Sequence, residues 1–456
     1  MGLPVQFREE IKKLLHEGEA EEFFQSIETD PTVSIRLNTS LFSREALDGK
    51  LQGIQTDGEV PWAKNGLYLK ERPHFTSDPL FHAGCYYVQE ASSMFLEQAV
   101  KRCVSGPVMA LDLCAAPGGK ATHLCSLLPE GSLTVTNEIN RGRANILAEN
   151  MIKWGRSGIM VTNDTPERIG DSTLSFDIIL ADVPCSGEGM FRKDAESVSE
   201  WSIQNVRMCA ARQRDILRAV WPALKPGGYL IYSTCTYNTL EDEDNVAWLT
   251  EEFNAEPVEI EVSKSWNITG DLSGRALPVY HFMPHRTRGE GFFMSLLKKP
   301  GDLAGISRKK ADYDRKGADG IFRNWVREHE RFRFEVKGSS VIAMPSELSE
   351  QMKLVSTELN TLVPGLEVAI MKGHEWVPSH PLSMSTELRK DCFCSVNLSM
   401  EQALSYLHLD ALKLDDCEKG YVLVMYDDVP LGFVKNLGKR ANNLYPQHWR
   451  IRHQTV

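Results

Sequence analysis

Between residues 108 and 235 the chain alternates short, nearly uniform apolar runs with longer stretches of mixed polarity. VMALDL (108–113), SLTVTNE (132–138), GIMVTN (158–163), FDIILAD (176–182) and YLIYSTC (229–235) are strand-length and suit burial on both faces. Helices fit between them, after Gly119 and at 140–153, 201–224 and 239–253. Such alternation predicts an α/β domain built on a parallel sheet. LPVYHFM and GFFMSLLKK read as a terminal strand pair.

The pattern differs on either side. Residues 1–75 mix an amphipathic helical stretch (FREEIKKLLHEGEAEEFFQSI), a strand-like SIRLNTS, a helix near 43–52 and an apolar GLYLK, so a small α+β unit is expected. The α/β block runs from 76 to 300. A Gly- and charge-rich stretch makes 301–320 a linker. The tail, 321–456, holds SSVIAM, LEVAIMK, YVLVMY and LGFVKNLG and predicts a β-rich module.

Composition narrows the class. With 456 residues, 42% hydrophobic and 25% charged, the chain fills two or three ordinary globular domains. The start carries no long apolar stretch, and Gln6 breaks the myristoylation pattern, so a cytoplasmic protein is expected. Ten cysteines without paired spacing fit free thiols. Cys392 and Cys394 form a lone CxC near His374 and His380; no second pair completes a zinc set, so no metal is expected. The net charge of -11 opposes nucleic-acid binding in bulk. Locally, residues 431–456 carry Lys435, Lys439, Arg440, Arg450 and Arg452 with no acid, although such runs also occur as solvated surface.

The first strand runs into Cys114, Ala115, Ala116, Pro117, Gly118, Gly119 and Lys120. Small residues there let a ligand approach the backbone, and the following helix N-terminus favours an anionic group. A Walker loop needs Gly at 114 and Ser or Thr at 121, where Cys114 and Ala121 stand, and no GxGxxG occurs. Glu138 ends the second strand, where an acid can bind ribose hydroxyls; Asp164 follows the third and Asp182 ends the fourth. Singly, each also suits a helix N-cap, and for Asp164 that is the stronger reading. Together with the glycine turn they point to a nucleoside cofactor.

Cys185, in DVPCSG, lies just past the fourth strand and Cys235, in STCT, ends the fifth. Neighbouring strands set both thiols on one cleft. Carbon 5 of cytosine is a poor nucleophile, but a thiolate added at carbon 6 makes it reactive. Asp182 can then support the adduct at N3, and a second thiol can assist release. By chemistry alone, either cysteine serves as the nucleophile.

The strings YYVQEASSMF (86–95), LDLCAAPGGKATH (111–123), NEINRGRANILAEN (137–150), DVPCSGEGMFRK (182–193), YSTCTYNTLEDE (232–243) and PHRTRGEGFF (284–293) strongly resemble the Nop/Sun family of RNA cytosine-5 methyltransferases; the layout resembles its bacterial RsmF-like branch. The resemblance implies a Rossmann-like class I methyltransferase domain with a mainly parallel seven-stranded sheet, an RNA-recognition-like N-terminal unit and a PUA-like tail that binds RNA. It implies S-adenosyl-L-methionine as cofactor and ribosomal RNA, the 16S RNA of the small subunit, as substrate. Cys235 is then the nucleophile, Cys185 promotes release, and the 114–120 turn, Glu138, Arg143, Asp164 and Asp182 contact the cofactor, with Lys120 near the reacting groups. Glu138 stands where many relatives carry Asp. Tyr86, Tyr87, Phe191 and Trp201 offer stacking surfaces for a flipped base or, equally, core packing. The competing expectation is a non-catalytic RNA-binding or ribosome-assembly factor on the same fold; a nitrogen methyltransferase has no use for the thiols.

Overall fold

The computed structural model describes residues 2–41, 43–51, 53–302, 318–414 and 417–452, so most of the expected linker lies outside the described residues. Two helices, Val5–Leu14 and Glu17–Ile27, open the chain and bury Phe7, Ile11, Phe23 and Phe24. Strands β1 (Ser34–Leu37), β2 (Thr56–Glu59), β3 (Gly66–Leu69) and β4 (Tyr86–Val88) follow as an antiparallel sheet of order β2-β3-β1-β4. Its edge strand comes from beyond residue 75, so the N-terminal sheet reaches further into the chain than the change of pattern suggests.

The central sheet is built from β5 (Met109–Asp112), β6 (Leu133–Asn137), β7 (Ile159–Thr162), β8 (Phe176–Asp182) and β9 (Leu224–Thr234), parallel and ordered β7-β6-β5-β8-β9. These five are the five apolar runs of the sequence, and their side chains are almost all buried, as helices on both faces demand. Beyond β9 come β10 (Glu256–Pro257), β11 (Val279–Phe282) and β12 (Phe292–Lys298), with β12 antiparallel to β9 and paired to both others. The five parallel strands with β11 and β12 make the expected seven. Two more bring the sheet to nine: β10, and a strand lent by the tail.

The tail holds β13 (Phe332–Lys337), β14 (Ser340–Pro345), β15 (Thr361–Val363), β16 (Leu366–Lys372), β17 (Glu375–Pro378), β18 (Cys394–Asn397), β19 (Gly420–Tyr426), β20 (Val429–Asn436) and β21 (Ala441–Asn443). It forms two four-stranded sheets, β13-β14-β16-β17 and β18-β19-β20-β21, while β15 leaves to pair antiparallel with β7. The β-rich expectation holds, but as two sheets and a donated strand.

Both flanking units grip the central domain. Arg36 of β1 is buried; its Nε donates to Gln89 Oε1 at 2.7 Å, its Nη2 to Thr122 Oγ1 at 2.7 Å, and its guanidinium lies 4.3 Å from the Trp154 ring centroid. This fastens the N-terminal sheet to helix Gly119–Leu127, which follows the glycine turn. On the tail side, a Cβ at Gly155 would stand 2.2 Å from the Met384 carbonyl oxygen, so only glycine permits that approach. Tail residues Val422, Val424 and Leu431 share an apolar core with Ile35, Leu37 and Leu67 of the N-terminal sheet.

Candidate active site

The cleft lies where Rossmann-like sheets bind ligands, beyond the carboxyl ends of the strands. The β5 strand delivers the turn 114–120, with a cis Ala116–Pro117 peptide and Gly118 at φ 121°, a conformation that favours glycine. Ala115 and Ala116 are buried, and burial pushes the Cys114 thiol up, so it stays protonated. Helix Gly119–Leu127 starts at this turn, its N-terminus next to the Tyr87 ring.

The acids stand in order along the strand ends. Glu138, at the end of β6, is buried; Oε1 accepts from the Asn140 N–H at 2.8 Å and Oε2 lies 3.3 Å from Arg143 Nη1. Arg143 Nη2 also donates to the Ala116 carbonyl at 2.8 Å, tying acid to turn. Asp164 is not the helix cap its position suggests, because Thr165 caps the short helix Pro166–Gly170. Its carboxylate instead accepts from the Asn360 N–H at 2.6 Å and lies 3.3 Å from Arg168 Nε. Asp182 accepts from Lys120 Nζ at 2.9 Å and from Ser233 Oγ at 2.8 Å. Burial alone would lower the Lys120 ammonium, but Asp182 outweighs it and, with Cys235 and Asp112 adding, holds the ammonium above its ordinary value.

Sequence reasoning passed over Asp112, the last residue of β5. It is fully buried, and among the described residues no donor reaches either carboxylate oxygen with hydrogen-bond geometry. Burial, reinforced by the charge of Asp182, pushes it well above the usual carboxylate range. An orphaned buried acid beside a glycine turn is costly unless a ligand donor satisfies it. Its signal in the sequence is one acid closing an otherwise apolar run.

Asp182 pairs with Ser233 across β8 and β9, so Cys185 and Cys235 follow adjacent strand ends. Their Sγ atoms are 2.9 Å apart, and the Cys235 N–H lies 3.3 Å from Cys185 Sγ. The Cys235 contact and burial together push the Cys185 thiol well up, so it keeps its proton and can donate to Cys235. The loop from Cys185 is pinned to this place: the Gly189 N–H donates to the Cys235 carbonyl at 2.8 Å.

A layer of buried acids, also missed, braces both thiols. Glu188 accepts from the Tyr237 N–H and from Trp201 Nε1, each at 2.9 Å, and burial raises it to about 7. Glu241 accepts from the Ser186 N–H at 3.0 Å and from Gln213 Nε2 at 2.7 Å. Asp242 accepts from Thr234 Oγ1 at 2.6 Å and Thr236 Oγ1 at 3.1 Å, the two residues flanking Cys235. The LEDE string that supplies two of them reads locally as a helix start; the third follows Cys185 in the other loop.

Of the aromatic candidates, Tyr86, Phe191 and Trp201 are core residues: Tyr86 donates to Asp78, and Phe191 and Trp201 pack on Phe7. Only Tyr87, half-buried, lies at the glycine turn. Cys392 and Cys394 do not pair. Cys394 Sγ approaches Cys417 Sγ at 2.7 Å, and Cys392 donates to the Asn324 carbonyl.

Comparison with known proteins matches three models along the chain: the N-terminal domain of 16S rRNA methyltransferase RsmF at residues 3–91, 16S rRNA methyltransferase RsmB/F at 106–298, and the methyltransferase RsmF PUA domain at 393–451. Ribosomal RNA small subunit methyltransferase F of Aliivibrio fischeri is 29% identical over 94% of this chain and 93% of its own. That of Pectobacterium atrosepticum is 33% identical over 67% of this chain and 65% of its own. A solved methyltransferase homolog from Pyrococcus horikoshii is 27% identical, covers 65% of this chain and 96% of its own, and superposes with a TM-score of 0.57. The structure of NSun6 from the same organism, solved with SFG, shares the fold at 22% identity and a TM-score of 0.56, over 66% of this chain and 99% of its own. Fold and site thus define a Rossmann-like methyltransferase carrying an N-terminal domain and a C-terminal PUA domain. The chain belongs to the Sun family of methyltransferases, in its RsmF-like branch.

Proposed function

We propose that the protein methylates carbon 5 of a cytosine in 16S ribosomal RNA, through a covalent adduct of Cys235 with S-adenosyl-L-methionine as donor. The observation that carries this reading is the contact of the two thiols beside the Lys120–Asp182 pair, at neighbouring strand ends. The names of the relatives support the RNA substrate, and the PUA domain and the acid-free basic residues 431–456 support RNA binding. Among the described residues no helix is long and apolar enough to cross a membrane, which is compatible with work in the cytoplasm.

The donor set fits an amino-acid nucleoside. Asp112 suits its ammonium group, the 114–120 turn and helix N-terminus its carboxylate, and Glu138, with Arg143 behind it, its ribose hydroxyls. Asp164, just past the end of β7, extends the same row of acids at the strand ends. When bound, S-adenosylmethionine supplies an electrophilic methyl group.

The residues divide the remaining work. Cys235 sulfur adds to carbon 6, forming a C–S bond as ring electrons pass toward carbon 5 and N3. A proton passed from the Lys120 ammonium through Asp182 to N3 neutralises the electrons that the ring takes up there and so stabilises the adduct. After carbon 5 has taken the methyl group its proton leaves to a base, the ring electrons return, and the C–S bond breaks. Cys185, protonated and in contact with Cys235, assists this release.

The test uses RNA transcripts and two variants. Cys185→Ala is expected to accumulate a protein–RNA adduct on denaturing gels, while Cys235→Ala forms neither adduct nor 5-methylcytosine by bisulfite sequencing. Full methylation by Cys235→Ala would overturn the proposal.

A further inference from the structure

The tail lends one strand to the edge of the central sheet beside β7. Helix Ser349–Glu358 ends at Leu359, and the next residues run antiparallel beside β7, with Thr361 opposite Thr162. Hydrogen bonds fasten this strap. The Glu358 carbonyl accepts from Arg168 Nε at 3.1 Å and Nη2 at 2.9 Å, and its carboxylate accepts from the Thr173 N–H at 2.7 Å. The Asn163 N–H donates to the Asn360 carbonyl at 3.0 Å. The Asn360 N–H does not enter the strand ladder: it donates to Asp164 Oδ2 at 2.6 Å. Leu362 and Val363 then pack on the apolar cluster that contains Ala115 and Ala116 of the glycine turn.

Asp164 is buried, with 7% of its surface exposed. Of its two carboxylate oxygens, one is held by the strap directly, and the other faces Arg168, which the strap holds in turn. A carboxylate so fixed presents one orientation to the pocket; released, it is free to rotate and to draw in water. We infer that residues Glu358–Val363 are a positioning element of the cofactor pocket, with Asn360 setting Asp164 through its backbone N–H. This rests on the reading that the pocket binds S-adenosylmethionine. It makes the tail part of the cofactor site as well as of the RNA-binding surface.

The full-length chain tests it, with S-adenosylhomocysteine as probe in calorimetric titration. Asn360→Pro removes the backbone N–H that Asp164 Oδ2 accepts. Leu359 already has φ -116° and ψ 153°, the region residues before proline prefer. Loss of a hydrogen bond to a charged group predicts binding weaker by about tenfold or more. Asn360→Ala keeps the N–H and should bind as the parent does. In an Asp164→Ala background the proline should add little, because its effect passes through that carboxylate. A merely structural strap would weaken both backgrounds equally. Should Asn360→Pro fail to fold, Arg168→Ala, which frees the other oxygen, reads the same coupling. Unchanged affinity in a folded Asn360→Pro protein overturns the inference and leaves the function standing. Failure of the parent to bind the probe overturns the function itself.

Discussion

Cys185 Sγ and Cys235 Sγ stand 2.9 Å apart at the ends of adjacent parallel strands, each half-buried. A pair this close can join as a disulfide with little movement. Hydrogen peroxide is expected to convert one sulfur to sulfenic acid, which the other displaces as water to give a disulfide. Peptide mapping should find residues 185 and 235 linked, with methyl transfer lost and restored by dithiothreitol. Peroxide-treated protein that keeps full activity would contradict this geometry.

Lys120 touches Asp182 at 2.9 Å and lies 4.9 Å from the Phe292 ring centroid. Lys120→Met keeps the stem against that ring and removes the charge. With Asp182 left without its cationic partner, kcat should fall by about 10²–10³, the usual loss for one electrostatic group at a reacting centre. An unchanged far-UV spectrum with that loss supports the role; near-parental kcat refutes it.

Glu188 carries a pH signature. Its folded value, raised to about 7 from 4.5, means that between those limits the folded chain holds a proton the unfolded chain has released. Stability from this group is therefore full below 4.5 and declines as pH rises to 7, by at most about 3 kcal/mol. Glu188→Gln, which keeps shape and one acceptor, should flatten that part of the stability curve in urea melts. A slope identical to the parent's would show that the acid titrates normally.

His380 gives the opposite sign. It is buried against the Tyr445 and Trp449 rings, and burial, with Lys153 and His448, pushes it down to about 3 from 6.5. Below 6.5 the unfolded chain takes a proton the folded chain refuses, so stability falls with pH toward 3, by at most about 5 kcal/mol. His380→Leu should lose less stability than the parent between pH 7 and pH 5. Equal losses would count against a buried neutral imidazole.

Much of the candidate site was legible because it is local. The turn 114–120, Glu138, Asp182 and both thiols each follow directly on an apolar run, and run order fixes which strand ends are neighbours. Asp112 was hidden by its strand: an acid inside a buried run looks like an end of pattern, and what marks it is that, among the described residues, no hydrogen-bond donor reaches its oxygens. Glu188, Glu241 and Asp242 brace loops far from them in sequence, which periodicity does not register. Core packing, the alternative reading of the aromatic candidates, holds for Phe191 and Trp201 for the same reason, since Phe7, distant in the chain, claims both. The strap was invisible because β15 is three residues long and finds its partner some two hundred residues earlier.

That borrowed strand also sets the order in which the molecule can be finished. Until Thr361–Val363 leaves the ribosome, β7 presents an open row of unpaired backbone groups, the kind of border that recruits other chains. During synthesis the catalytic half therefore waits, half-hemmed, for a segment made about two hundred residues later. Arrival of the tail closes the border and ends the interval in which nascent copies can stick to one another.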